Sequence, residues 1–70
     1  MSTIMRNTVS ITILTKAKVD GELWYSCHTN DQEVWKWLHS QSRRYWQPIS
    51  GDSQFDIHGK LMTIMQLKFS

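Results

Sequence analysis

The chain has 70 residues, 40% of them hydrophobic, and its eight Lys and Arg against six Asp and Glu leave a formal net charge of +2. Folding at this length buries only about 60% of the surface of the unfolded chain, which supplies one modest core and disfavours a deep, water-free catalytic cleft. One cysteine, Cys27, rules out an internal disulfide and with it a bridge-stapled secreted scaffold, so the expected compartment is a reducing one, the cytoplasm.

Leu, Ile, Val and Phe make up 16 of the 70 residues, above the roughly 20% below which chains stay disordered, so a folded chain is expected. The longest mostly apolar stretch, Val9 to Leu14, is interrupted by Ser10 and Thr12 and falls far short of the ~18 residues a membrane span needs. Arg6 followed by a polar run also lacks the apolar core and cleavage site of a signal peptide. A small net charge does not announce nucleic acid, whose footprint is a clustered basic face.

Residues 1–7 read as a flexible terminal segment, with Ile4 and Met5 able to extend the first strand, and residues 8–70 read as a single domain. From Thr8 to Lys18, Val9, Ile11, Ile13, Thr15 and Ala17 alternate with Ser10, Thr12, Leu14 and Lys16, the period-two pattern of a strand rich in β-branched residues. Asp20-Gly21 marks a hairpin turn. A two-residue loop would pair Ala17 with Trp24 and Ile13 with His28 and mix Lys with apolar residues on both faces. A three-residue loop, Val19-Asp20-Gly21, would pair Lys18 with Glu22, Ala17 with Leu23 and Ile13 with Cys27, making one face coherently apolar and setting Lys16 beside Trp24 on the other. The three-residue loop is therefore expected, with the second strand at Glu22 to His28.

Thr29 or Asn30, each with Gln or Glu three residues on, predicts a capping box and a helix from Asp31 to about Trp46. Val34, Trp37, Leu38, Gln41 and Tyr45 form its packed side. Glu33, Lys36, Ser40, Arg43 and Arg44 form the wet one, with acids early and bases late to suit the helix dipole. Pro48 then disfavours helix at Gln47. A loop over Ile49 to Ser53 leads to a short strand at Gln54 to Ile57, and His58-Gly59 turns the chain into a last strand from Lys60 to Phe69. The sum is an α+β domain of ββαββ order, a four-stranded antiparallel sheet with one helix packed on one face.

A sheet covered on one side leaves its second face to water, and that face should be polar unless something binds there. The expected register puts Leu14, Trp24, Met62 and Ile64 on it beside Thr12, Lys16, His28 and Lys68, an apolar content that suggests a contact surface or a face over which the N-terminal segment folds. Self-association through the open face or an edge strand, giving a homodimer, is the other expectation. Arg43-Arg44-Tyr45-Trp46 combines cations with rings, as single-stranded nucleic acid requires, although a dibasic helix end is ordinarily dipole complementation.

Cys27, His28, His39 and His58 lack the paired spacing of a metal site, and no nucleophile elbow or phosphate-cradling glycine loop is present, so neither cofactor nor enzyme activity is expected. The leading expectation is a small protein-binding module that occludes a surface of a larger host protein or complex, as phage-encoded inhibitors of host machinery, anti-CRISPR proteins among them, often do at this size. Leu14, Trp24 and Ile64, or the helix residues Trp35, Lys36 and Arg43, are the candidate anchors. A nucleic-acid binder using Lys16, Trp24, Arg43, Arg44 and Trp46 is the alternative. No membrane partner is expected.

Overall fold

A computed structural model describes residues 2–6, 9–49, 51 and 53–69, the first five by backbone alone. The expected domain start at Thr8 and Asp52 of the Gly51-Asp52 turn lie outside the described residues. The element order is β1 (Ser2–Arg6), β2 (Val9–Val19), β3 (Glu22–His28), α1 (Gln32–His39), β4 (Trp46–Pro48), β5 (Gln54–His58) and α2 (Gly59–Lys68). The strands form one antiparallel sheet in the order β1-β2-β3-β5-β4, and the class is α+β, an antiparallel sheet with helical cover. Ser2–Arg6 joins it as an edge strand paired with β2.

The β2–β3 hairpin turns in two residues. Asp20 (φ 53°) and Gly21 (φ 82°) are both left-handed, as a type I′ turn demands, and Val19 stands opposite Glu22. The three-residue loop is thus corrected: Ala17 opposes Trp24 and Lys16 opposes Tyr25. The core nevertheless keeps the pairing of Ile13 with Cys27, because the register shifts between Ile13 and Thr15 and leaves Leu14 as one extra residue in β2. A bulge reconciles the turn that Asp-Gly prefers with the face that the core needs.

Helix α1 starts one residue later than expected, with Asp31 as its N-cap accepting from the Glu33 N–H at 2.9 Å. Thr29 supports it from beneath. It is 1% exposed, its hydroxyl donates to the Ser10 carbonyl and accepts from the Asp31 N–H, and its own carbonyl accepts from the Trp35 indole. The helix ends at His39, not near Trp46: the Ser40 hydroxyl donates to the Trp37 carbonyl at 2.6 Å and the Arg44 N–H donates to the Ser42 hydroxyl at 3.2 Å. Serine hydroxyls offer the backbone alternatives to the helical ladder. Trp46 then opens a strand opposite Ile57, and Pro48 is tolerated because β4 is an edge.

The segment expected as the last strand, Lys60 to Phe69, is helical over Gly59–Lys68. Its alternation of apolar and polar residues coexists with helical spacing of Leu61, Met62, Met65 and Phe69, all of them buried. Leu, Met, Gln and Lys favour the helix, and His58 caps it, Nδ1 accepting from the Lys60 N–H at 3.0 Å. The core lies between the sheet and both helices: Val9, Ile11, Cys27, Phe55 and Ile57 from the strands, Val34 and Leu38 from α1, and Leu61, Met62 and Met65 from α2, with Trp46 closing the β4 side. No helix among the described residues is long and apolar enough to cross a membrane.

Candidate functional site

Alternation from the buried Cys27 and Ile57 sends Ser26, Trp24, Asp56 and His58 to the face away from the helices. Two depressions lie on that open face. One, of about 410 Å³, is polar and lined by Ser10, Thr12, His28, Thr29, Asn30 and Asp31. The other, of about 320 Å³, has Trp24, Ala17 and Val19 as its apolar surface and Asp20, Glu22 and Asp56 among its polar groups. Gln47 and Ser26 complete it, and the Ser26 hydroxyl donates to Asp56 Oδ1 at 2.7 Å.

The half-buried Trp24 meets His58 in a T-shaped contact, ring centroids 5.3 Å apart and planes at 85°, while Tyr45 meets the same imidazole at 5.6 Å. The His58 side chain is 8% exposed; its Nε2 lies 3.3 Å from Glu22 Oε1 without the alignment of a hydrogen bond. With Nδ1 accepting from Lys60, the ring proton of the neutral imidazole sits on Nε2, facing the carboxylate. His58 therefore ties the cap of α2 to the groove wall. The sequence pattern carried no sign of this, because His58-Gly59 reads as a turn until α2 is seen.

The structure separates the residues expected to act together. Trp24 is on the open face, but Ile64 is on α2, on the opposite side of the sheet, 52% exposed. Met62 is buried in the core, Lys68 ends α2, and Leu14 is the half-buried bulge residue. Lys16 follows Tyr25 to the helix side, away from Trp24. Trp35 packs edge to face on Phe55 at 5.4 Å and Trp46 at 6.2 Å and donates its indole N–H to the Thr29 carbonyl, so its ring is engaged in the fold. Trp46 is fully buried with its indole N–H on the Gln41 carbonyl at 3.3 Å. Arg43 lies over that ring, 4.5 Å from its centroid, while Lys36 and Arg44 are exposed. Arg43-Arg44-Tyr45-Trp46 thus offers no free indole to a base.

Cys27 is fully buried, and burial, helped by the Asp56 charge, pushes its thiol up to about 12. It stays protonated at neutral pH, the opposite of what a nucleophilic thiolate needs. Among the described residues, no three His, Cys, Asp or Glu side chains gather to hold a metal ion. No protein-family model matches the chain, and neither the curated proteins nor the solved structures contain a match to it.

Proposed function

We propose that this chain is a non-enzymatic protein-binding module whose contact surface is the open sheet face centred on Trp24. The observation that carries the reading is the contrast within one sheet: a half-buried indole and a 51%-exposed Val19 share a groove of about 320 Å³ on the face that no helix covers. Contiguous apolar surface left open on a soluble protein marks sites where another surface meets it, and tryptophan is enriched among the residues that dominate such contacts. The β2–β3 hairpin, long and closed by a tight turn, holds Ala17, Val19 and Trp24 on a rigid support, which limits the ordering cost of docking.

A module of this kind acts by occupying a surface of a larger protein and blocking what would otherwise bind there, the mode of phage-encoded inhibitors of host machines. The nucleic-acid reading has less support, because Trp24 is walled by carboxylates and Trp46 is enclosed. The test is capture from nuclease-treated lysate of the natural host by tagged protein, in parallel with Trp24→Ala. The expected result is a stoichiometric protein complex with the parent and none with Trp24→Ala, at unchanged far-UV circular dichroism. Equal capture by both proteins removes the open face from the account, and capture that disappears with nuclease favours nucleic acid.

A further inference from the structure

Among the described residues the bases crowd the helix side, where Glu33 of α1 is an exception, and the open face near Trp24 carries acids. Lys16 and Lys18 stand opposite Tyr25 and Leu23, on the helix side, and Lys36, Lys60 and Lys68 are exposed on the two helices. The groove at Trp24 is lined by three carboxylates, Asp20, Glu22 and Asp56, and among the described residues by no Lys or Arg. An indole surface with acids around it is complementary to a cation on a long apolar stem: the indole face attracts the charge, the stem covers Ala17 and Val19, and the carboxylates accept its N–H groups. Arginine meets all three requirements, with a planar guanidinium that stacks and donates in a fork; lysine supplies only a point charge. Glu22 is a well-placed acceptor, its Oε1 lying 3.3 Å from the buried His58 Nε2 at the groove wall and its side chain open to a partner.

Resting on the reading of the open face as the contact surface, we infer that its occupant is a basic segment of another protein that places an arginine over Trp24 between Glu22 and Asp56. The same complementarity admits a second copy of this chain docking its helix layer, a head-to-tail contact that would build rings or open chains as concentration rises.

The experiment is a titration of the 15N-labelled protein with an acetylated, amidated Gly-Gly-Arg-Gly-Gly peptide and with its citrulline counterpart, which keeps the shape and removes the charge. The arginine peptide is expected to shift the Trp24 indole and the amides of Val19, Glu22 and Asp56 with a dissociation constant on the order of 1 mM, about −4 kcal/mol. Citrulline peptide binds about threefold more weakly or worse, and Glu22→Gln with Asp56→Asn brings the arginine peptide to the same level. Equal shifts from the two peptides, or shifts elsewhere on the molecule, overturn the inference. If Trp24→Ala abolishes protein capture while Glu22→Gln/Asp56→Asn and 0.5 M salt (roughly a 4 Å Debye length) do not weaken it, the open-face reading stands and the arginine inference fails. Sedimentation of the unliganded protein that shows salt-sensitive, concentration-dependent growth makes the second copy the occupant and likewise overturns it.

Discussion

Ile57 and His58 are consecutive on β5, and a tryptophan is paired with each: Trp46 of β4 opposite Ile57, Trp24 of β3 opposite His58. One step along the strand separates a ring enclosed by the core from a ring at the wall of an open groove. Trp46 has its indole N–H satisfied, an aromatic neighbour in Trp35 and a guanidinium over its face. Trp24 has a T-shaped contact with His58 and lines a cleft that also carries carboxylates. Identical side chains therefore perform opposite tasks, one setting stability and the other presenting a surface, and the pleat of β5 decides which.

The largest effect is expected at Trp46. Trp46→Ala should cost about 3–5 kcal/mol, most or all of the stability of a domain this size, and equilibrium urea unfolding is the check; a midpoint close to the parent would mean that the ring is not enclosed. Next in size is the pH dependence of Cys27. Its thiol titrates near 9.0 when exposed and at about 12 in the fold, so at high pH the unfolded chain holds fewer protons than the folded one. Stability from this group is full below pH 9 and falls as pH rises from 9 towards 12, a loss of a few kcal/mol that Cys27→Ala should not show. Urea unfolding of both proteins across that window measures it.

Gly21→Ala sharpens the hairpin that carries Trp24. No atom lies within 4 Å of an added Cβ, so the effect comes from the φ of +82° alone, roughly 1–2 kcal/mol; thermal unfolding should report that loss with the fold retained. Trp24→Ala gives up the His58 ring contact, about 1 kcal/mol, together with the part of the indole that is buried, a smaller loss than at Trp46, although it is the substitution expected to remove binding. A Trp24→Ala protein as damaged as Trp46→Ala would erase the distinction.

The parts of the fold that local chemistry dictates are legible in the sequence: β2 from its β-branched alternation, β3 from the Asp20-Gly21 turn that returns the chain along β2, the start of α1 to within a residue from its polar cap, β5 between its turns. Two signals misled because a second pattern fits the same residues. Leu61 to Phe69 alternates like a strand while Leu61, Met62, Met65 and Phe69 repeat like a helix, and only the place left on the core face of the sheet decides between them. At the hairpin, turn chemistry and core patterning demanded registers one residue apart. A bulge at Leu14 satisfies both, and no residue type there announces it.

The candidate site divides along the same line. Trp24 was identifiable as an outward ring because its position relative to Cys27 is odd in number along one uninterrupted strand. Lys16 and Ile64 were assigned to its face through the register and the strand that the structure replaces. Glu22, Asp56 and His58 were missed as groove partners, since their approach to Trp24 depends on the pairing of β3 with β5, which non-adjacent segments of the chain do not reveal. Charge order was the overlooked signal: once the true register is known, the bases at 16 and 18 and the acids at 22 and 56 fall on opposite faces.

The most direct measurement is the 15N spectrum of the labelled protein with and without the purified protein it captures, followed at the four indole N–H resonances. The Trp24 resonance is expected to move or broaden most while those of Trp35 and Trp46 stay in place. A complex that moves Trp37 or Trp35 and leaves Trp24 unchanged would place the contact on the helix layer and contradict the open-face reading.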